Sequence, residues 1–114
     1  MEAELKECID NCFHCHAVCI DTAGHCLRLG GAHAGLEHQR TLSDCAEACL
    51  TSTHFMLHRS QFHPEYCRLC ADVCAACAES CEKQAGKDET LARCVQVCRK
   101  CEASCRRMAG SSHF

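Results

Sequence analysis

Apolar and polar positions alternate along this chain with gaps of three, four, three and four residues, an average period of 3.5. That is the spacing of a single stripe on an α-helix, the seam of a helix in a bundle. The pattern is densest where cysteines stand at Cys67, Cys70, Cys74, Cys77 and Cys81. It recurs as Cys8, Cys12, Cys15 and Cys19, continuing through Thr22 to Cys26. A third stripe reads His38, Leu42, Cys45, Cys49, Ser52 and Met56, and a fourth reads Leu91, Cys94, Cys98, Cys101, Cys105 and Met108. The stripes predict helices over about 3–29, 33–59, 64–84 and 88–108, with 109–114 as a tail. Gly30-Gly31 closes the first helix, and Pro64 suits the first turn of the third. Asp88 is placed to cap the fourth. Gly24 lies inside the first helix at some cost in propensity. Connections this short make neighbouring helices antiparallel. The expected fold is therefore all-α, an up-down-up-down four-helix bundle with a cysteine-lined core, and 1–114 is expected to be one domain.

Composition then changes the picture. Cysteine supplies 16 of 114 residues, above the roughly 8–10% that marks a cysteine scaffold. In a secreted chain such a count signals disulfides. The start, Met1-Glu-Ala-Glu-Leu-Lys-Glu, has no basic, apolar and cleavable segments of a signal peptide, and no run of about 18 apolar residues could span a membrane. The expectation is a cytoplasmic protein with reduced thiols. The net charge of −3, one Tyr and no Trp leave nucleic-acid binding without a basic, aromatic surface. No nucleophile–base set, paired-carboxylate cleft or phosphate loop supports an enzyme.

Thiols three or four residues apart on a helix have Cβ atoms about 5–6 Å apart. Two metal–sulfur bonds of roughly 2.3 Å each bridge such a gap, so each pair is a clamp for one soft ion. Cu(I) suits Cys and Met ligands and accepts two thiolates. If each thiolate bridges two ions, capacity approaches one ion per cysteine. Zinc instead prefers a closed tetrahedron built from knuckles on loops, and the CxxC pairs here sit within helical periodicity. Iron–sulfur clusters draw on a wrapping C-x2-C-x2-C run, which is absent. One cysteine on a helix face is ordinary packing, but every cysteine except Cys26 stands three or four residues from another. Multiple Cu(I) ions are the expected ligand, with a zinc or other soft-metal buffer and a thiol redox protein as the alternatives.

With these four stripes and short connectors, the chain resembles, over about residues 3–108, the four-helix-bundle copper storage proteins. This is a bacterial family of cysteine-rich bundles sometimes mislabelled as ferredoxins. The resemblance implies storage of many Cu(I) ions by core-facing cysteines, a homotetramer, and, without a leader, the cytosolic branch of the family. Copper ions, and a copper chaperone or efflux system, are the expected partners. The second helix departs from the pattern, carrying only Cys45 and Cys49.

The two bundle ends are expected to differ. One collects Leu5, Phe55, Met56, Phe62, His63, Tyr66 and Met108 and reads as an apolar plug, its methionines most simply core filler. The other collects His25, Cys26, His33, His38, Cys81, Gln84 and Cys94. Imidazole holds copper more weakly than bridging thiolates do and can pass an ion onward, so copper is expected to enter past His25 and His38. His14, His16, His54 and His58 fall on the flanks, and His113 falls in the tail.

Overall fold

In the computed structural model, which describes residues 2–110, every regular element is helical. The order is α1 (Glu2–Leu29), a 3-10 turn (Gly31–Ala34), α2 (Leu36–Leu57), α3 (His63–Ala85) and α4 (Glu89–Ala109). Each helix packs against two neighbours, α1 on α2 and α4, and α3 on α2 and α4. The four antiparallel rods form a body of 46 × 21 × 17 Å. No described helix is long and apolar enough to cross a membrane.

Local chemistry sets the helix ends. Gly30 and Gly31 hold φ of 73° and 57°, left-handed values that glycine adopts at little cost, and they stop α1. The chain makes one 3-10 turn, then passes through extended Gly35 before α2 begins at Leu36. His33 therefore lies in the connector, not at the start of the second helix as the stripe suggested. Pro64 occupies the first turn of α3, where its missing N–H costs nothing. Asp88 caps α4, its Oδ1 accepting from the Leu91 N–H at 2.9 Å. Arg106 and Arg107 in the last turn of α4 complement the helix dipole. α4 reaches Ala109 and is followed by Gly110, and residues 111–114 of the tail, His113 included, lie outside the described residues.

The stripes meet on the bundle axis. All sixteen cysteines are completely buried, and none is joined to another in a disulfide. Leu42, Leu91, Met56 and Met108 fill the space around them, so thiols supply most of the interior as small hydrophobes. The outer side of α3 and α4 is polar. Arg99 pairs with Glu82 and Glu102, and Arg106 with Asp72 and Glu102. Such exposed, solvent-screened pairs add little to stability.

Candidate metal centre

Helical periodicity brings the sulfurs together twice over. Within one helix, residues four apart stack their sulfurs: Cys15 and Cys19 at 4.0 Å, Cys70 and Cys74 at 3.9 Å, Cys94 and Cys98 at 4.0 Å. Antiparallel packing then sets the stripes against one another. Cys12 lies 3.6 Å from Cys101 and 3.5 Å from Cys105 across α1 and α4, and Cys45 lies 3.7 Å from Cys74 across α2 and α3. Contacts also cross the axis diagonally, Cys19 to Cys77 at 3.9 Å and Cys49 to Cys101 at 3.8 Å.

These contacts form an ordered ladder. Among the groupings of thiols whose sulfurs all lie within 4.8 Å of one another, five sets of four follow one another along the axis. The set Cys12, Cys70, Cys101, Cys105 shares Cys70 and Cys101 with the next, which adds Cys49 and Cys74. Those two thiols are shared in turn with Cys15 and Cys45, and these with Cys19 and Cys98. The last set adds Cys77 and Cys94. Every rung thus shares an edge with the next. Beyond the first rung the line continues to Cys8, 3.7 Å from Cys105.

The spacing suits metal without large rearrangement. With bonds of roughly 2.3 Å, a linear S–metal–S unit needs sulfurs about 4.6 Å apart and a trigonal one about 4.0 Å. The observed 3.5–4.0 Å is near the trigonal value and lets a linear unit form after a small opening of the pair. Protons hold the metal-free lattice together through S–H···S contacts. Cys105 hydrogen-bonds to Cys8 and holds that thiol below its ordinary range. Cys105 itself is pushed up by its contacts with Cys101 and Cys12.

The histidines divide. His38 is buried, with Nε2 3.4 Å from Cys26 Sγ and Nδ1 2.6 Å from Ser80 Oγ. Burial lowers its pKa and favours the neutral ring able to bind a metal, and burial raises that of Cys26. His25 does not reach a thiol by hydrogen bond. Its Nε2 is 2.8 Å from Asp88 Oδ2, joining the last turns of α1 to the cap of α4 and holding the Asp88 carboxyl below its usual range. His33 donates to the Gln84 carbonyl at 3.1 Å. At the other end Leu5, Met56, His63 and Met108 are buried, and Phe55 stacks on Tyr66 with ring centres 4.0 Å apart. Phe62 is 53% exposed and takes no part in that plug.

A family model described as copper storage protein matches residues 1–110. The chain belongs to the copper storage protein family. Solved relatives share its fold along nearly the whole length. The Nmul_A1745 protein from Nitrosospira multiformis is 44% identical with a TM-score of 0.90, covering 97% of this chain and 99% of that one. The Cu(I)-bound copper storage protein BsCsp3 is 31% identical with a TM-score of 0.85, over 93% and 98%. A cytosolic copper storage protein from Streptomyces lividans carrying five coppers is 29% identical with a TM-score of 0.86, over 95% and 93%.

In this member of the copper storage family, the thiol stripes line the axis as the sequence pattern places them, while the sequence puts His38 and Cys26 at one bundle end without indicating their 3.4 Å contact. The stripe could not indicate Ser80, because it stands one position before Cys81 and off the seam. Nor could it indicate that Asp88 both caps α4 and engages His25, since that contact spans 63 residues. Thr22 occupies a seam position between Cys19 and Cys26, and its hydroxyl is buried with no hydrogen-bond partner among the described residues.

Proposed function

We propose that this chain stores multiple Cu(I) ions on thiolates of its core, in the cytoplasm, as a homo-oligomer. The ligands are Cys8, Cys12, Cys15, Cys19, Cys26, Cys45, Cys49, Cys67, Cys70, Cys74, Cys77, Cys81, Cys94, Cys98, Cys101 and Cys105. One observation carries the reading: consecutive four-thiol sets share edges. Isolated zinc tetrahedra cannot fill adjacent rungs without competing for the same two sulfurs. Bridging thiolates can, and soft Cu(I), at home with low coordination numbers on thiolate, is the ion that such a ladder suits. Each ion bound displaces thiol protons, so the hydrogen-bonded lattice becomes a metal–thiolate lattice with little backbone change. The role is sequestration; no catalytic step is part of it.

Copper enters at the end where His38 meets Cys26, with His25 beside it. His38, neutral and aimed by Ser80, offers an exchangeable ligand ahead of the bridging thiolates. A copper chaperone or efflux system is the delivering or receiving partner. The test is an anaerobic titration of the fully reduced protein with Cu(I) against a Cu(I)-selective chelator, with bound ions counted per chain. About one ion per cysteine supports storage by bridging thiolates. Four or fewer refutes it in favour of separate zinc-type sites or a redox role. For the entrance, His25→Ala with His38→Ala slows uptake and release while leaving capacity nearly intact. Unchanged kinetics removes the entrance.

A further inference from the structure

The thiol ladder has a definite terminus at the plug end. Beyond the rung of Cys12, Cys70, Cys101 and Cys105 come Cys8, 3.7 Å from Cys105, and Cys67, which interacts with Cys8 and Cys105. The helical alternation then carries each seam one turn further. On α1 the next residue is Leu5 and on α4 it is Met108, but on α3, four residues before Cys67, it is His63. Residues four apart stand one above the other on a helix face. His63 thus holds the seam position at which α3 would otherwise place one more thiol.

Packing alone does not select an imidazole there. His63 is completely buried, as are Met56 and Met108, with Leu5 nearly so. Leucine or methionine would plug the end at lower cost, because ring nitrogens must be desolvated to enter an apolar site.

The ring is in the state that binds a soft metal. Burial lowers its pKa, outweighing a hydrogen bond to the Ser60 backbone and the nearby Cys8 sulfur, which raise it. It is therefore neutral near pH 7, and a neutral imidazole that donates one N–H carries a lone pair on its other nitrogen. Metal-binding histidines commonly have this arrangement, with the second ring N–H given to a backbone carbonyl. The turn before α3 builds the contact, and in it the backbone N–H of His63 donates to the Ser60 carbonyl at 3.1 Å.

An edge-sharing lattice needs a ligand at its end. An interior ion draws on thiolates from both sides, whereas the terminal ion lacks a next rung, and no cysteine follows Cys8 and Cys67 along the seams in this direction. We propose that His63 closes the ladder, its imidazole joining the thiolates of Cys8 and Cys67 around one further Cu(I) ion at the plug end. The site rests on the reading of the core as a Cu(I) store, and it adds a mixed nitrogen–sulfur position at the opposite end from His38. Thiolate and imidazole both suit copper. Two thiol protons leave as the ion binds, and the ring stays neutral. Met56 and Met108 remain filler.

Nitrogen NMR of the histidine rings tests it, on the reduced full chain before and after anaerobic loading with Cu(I). This ion is closed-shell and diamagnetic, so ring nitrogens stay observable. On full loading one His63 ring nitrogen is expected to move to a metal-bound shift, while the nitrogen facing Ser60 stays protonated. His63→Leu removes that signal and lowers capacity by about one ion. It leaves the metal-free melting temperature unchanged or higher, as removal of a purely structural group would not. A His63 ring unmoved by loading, in a chain that holds about one ion per cysteine, overturns this site and leaves core storage standing. Full capacity in His63→Leu does the same. A chain that takes up about four ions or fewer overturns both.

Discussion

Replacing Cys49 by serine separates a bridged lattice from isolated sites more sharply than any other single change. Cys49 is one of only two thiols on α2, and its sulfur lies 3.8 Å from each of Cys70, Cys74 and Cys101. It belongs to two consecutive rungs of the ladder. A serine hydroxyl is a hard, weak ligand for Cu(I), so the substitution removes one bridge. With each thiolate shared by two ions and each ion held by two thiolates, removing one thiolate lowers capacity by about one ion, and by about two if both neighbouring ions depart. The fold tolerates the change. Two core hydroxyls already bond to helix carbonyls, Thr53 to Cys49 at 2.9 Å and Ser104 to Cys101 at 3.1 Å, and the hydroxyl introduced by Cys49→Ser can do the same to its own preceding turn. The stability cost is then about 1 kcal/mol. The assay is native mass spectrometry of the reduced variant after anaerobic loading with excess Cu(I) and removal of loosely held metal. Unchanged capacity refutes a ligand role for Cys49. A loss of four or more ions at once refutes the edge-sharing lattice, because it would mean that ions bind in closed units that fail together.

Two further substitutions check the scaffold around the ladder. Met56→Ala opens a cavity at a completely buried position and is expected to destabilise the metal-free protein by roughly 2–5 kcal/mol in chemical denaturation. Copper capacity should stay unchanged, because Met56 fills space and does not ligate. Asp88→Ala removes both the α4 cap and the His25 contact and is expected to lower the thermal midpoint measurably. Asp88→Asn restores the cap and should recover most of the loss; equal damage from both would show that the carboxylate's contact with His25, not the cap, is what matters.

Much of this was legible because one physical rule governs both fold and site. A thiol at every third or fourth position fixes the helix, its inward face and the ligand together, so Cys8 to Cys105 could be placed on the axis from spacing alone. His38 was legible for the same reason, standing seven residues before Cys45. The connector after α1 was not. Gly30, Gly31 and Gly35 each take a backbone conformation that ends helical hydrogen bonding, and that moved His33 out of the second helix and onto the Gln84 carbonyl. His25 points to the same limit. Its position on α1 could be read, but its attachment to Asp88 depends on where the start of α4 lies in space. Phe62 fell outside the plug because the turn before α3 leaves its ring in solvent, a matter of loop path that periodicity does not encode.

The buried thiols have two roles, and the order in which these act can be tested. In a small zinc domain the ligands cannot bury enough surface by themselves, and folding waits for metal. Here the protonated thiols pack as apolar groups, and Leu42, Leu91, Met56 and Met108 complete the interior. The sulfur spacing of the metal-free bundle also lies close to what bound ions require. The helices should therefore form before any copper arrives. The reduced, metal-free chain is expected to show essentially the same far-ultraviolet circular dichroism as the loaded chain, and a cooperative thermal transition. Copper should then raise the midpoint without adding helix, because ligands that bind only the folded state stabilise it by mass action. A metal-free chain that is largely unfolded and gains helix in step with copper would overturn this order. The thiol lattice would then be a product of metal binding, and the preformed ladder could not be what receives the ions.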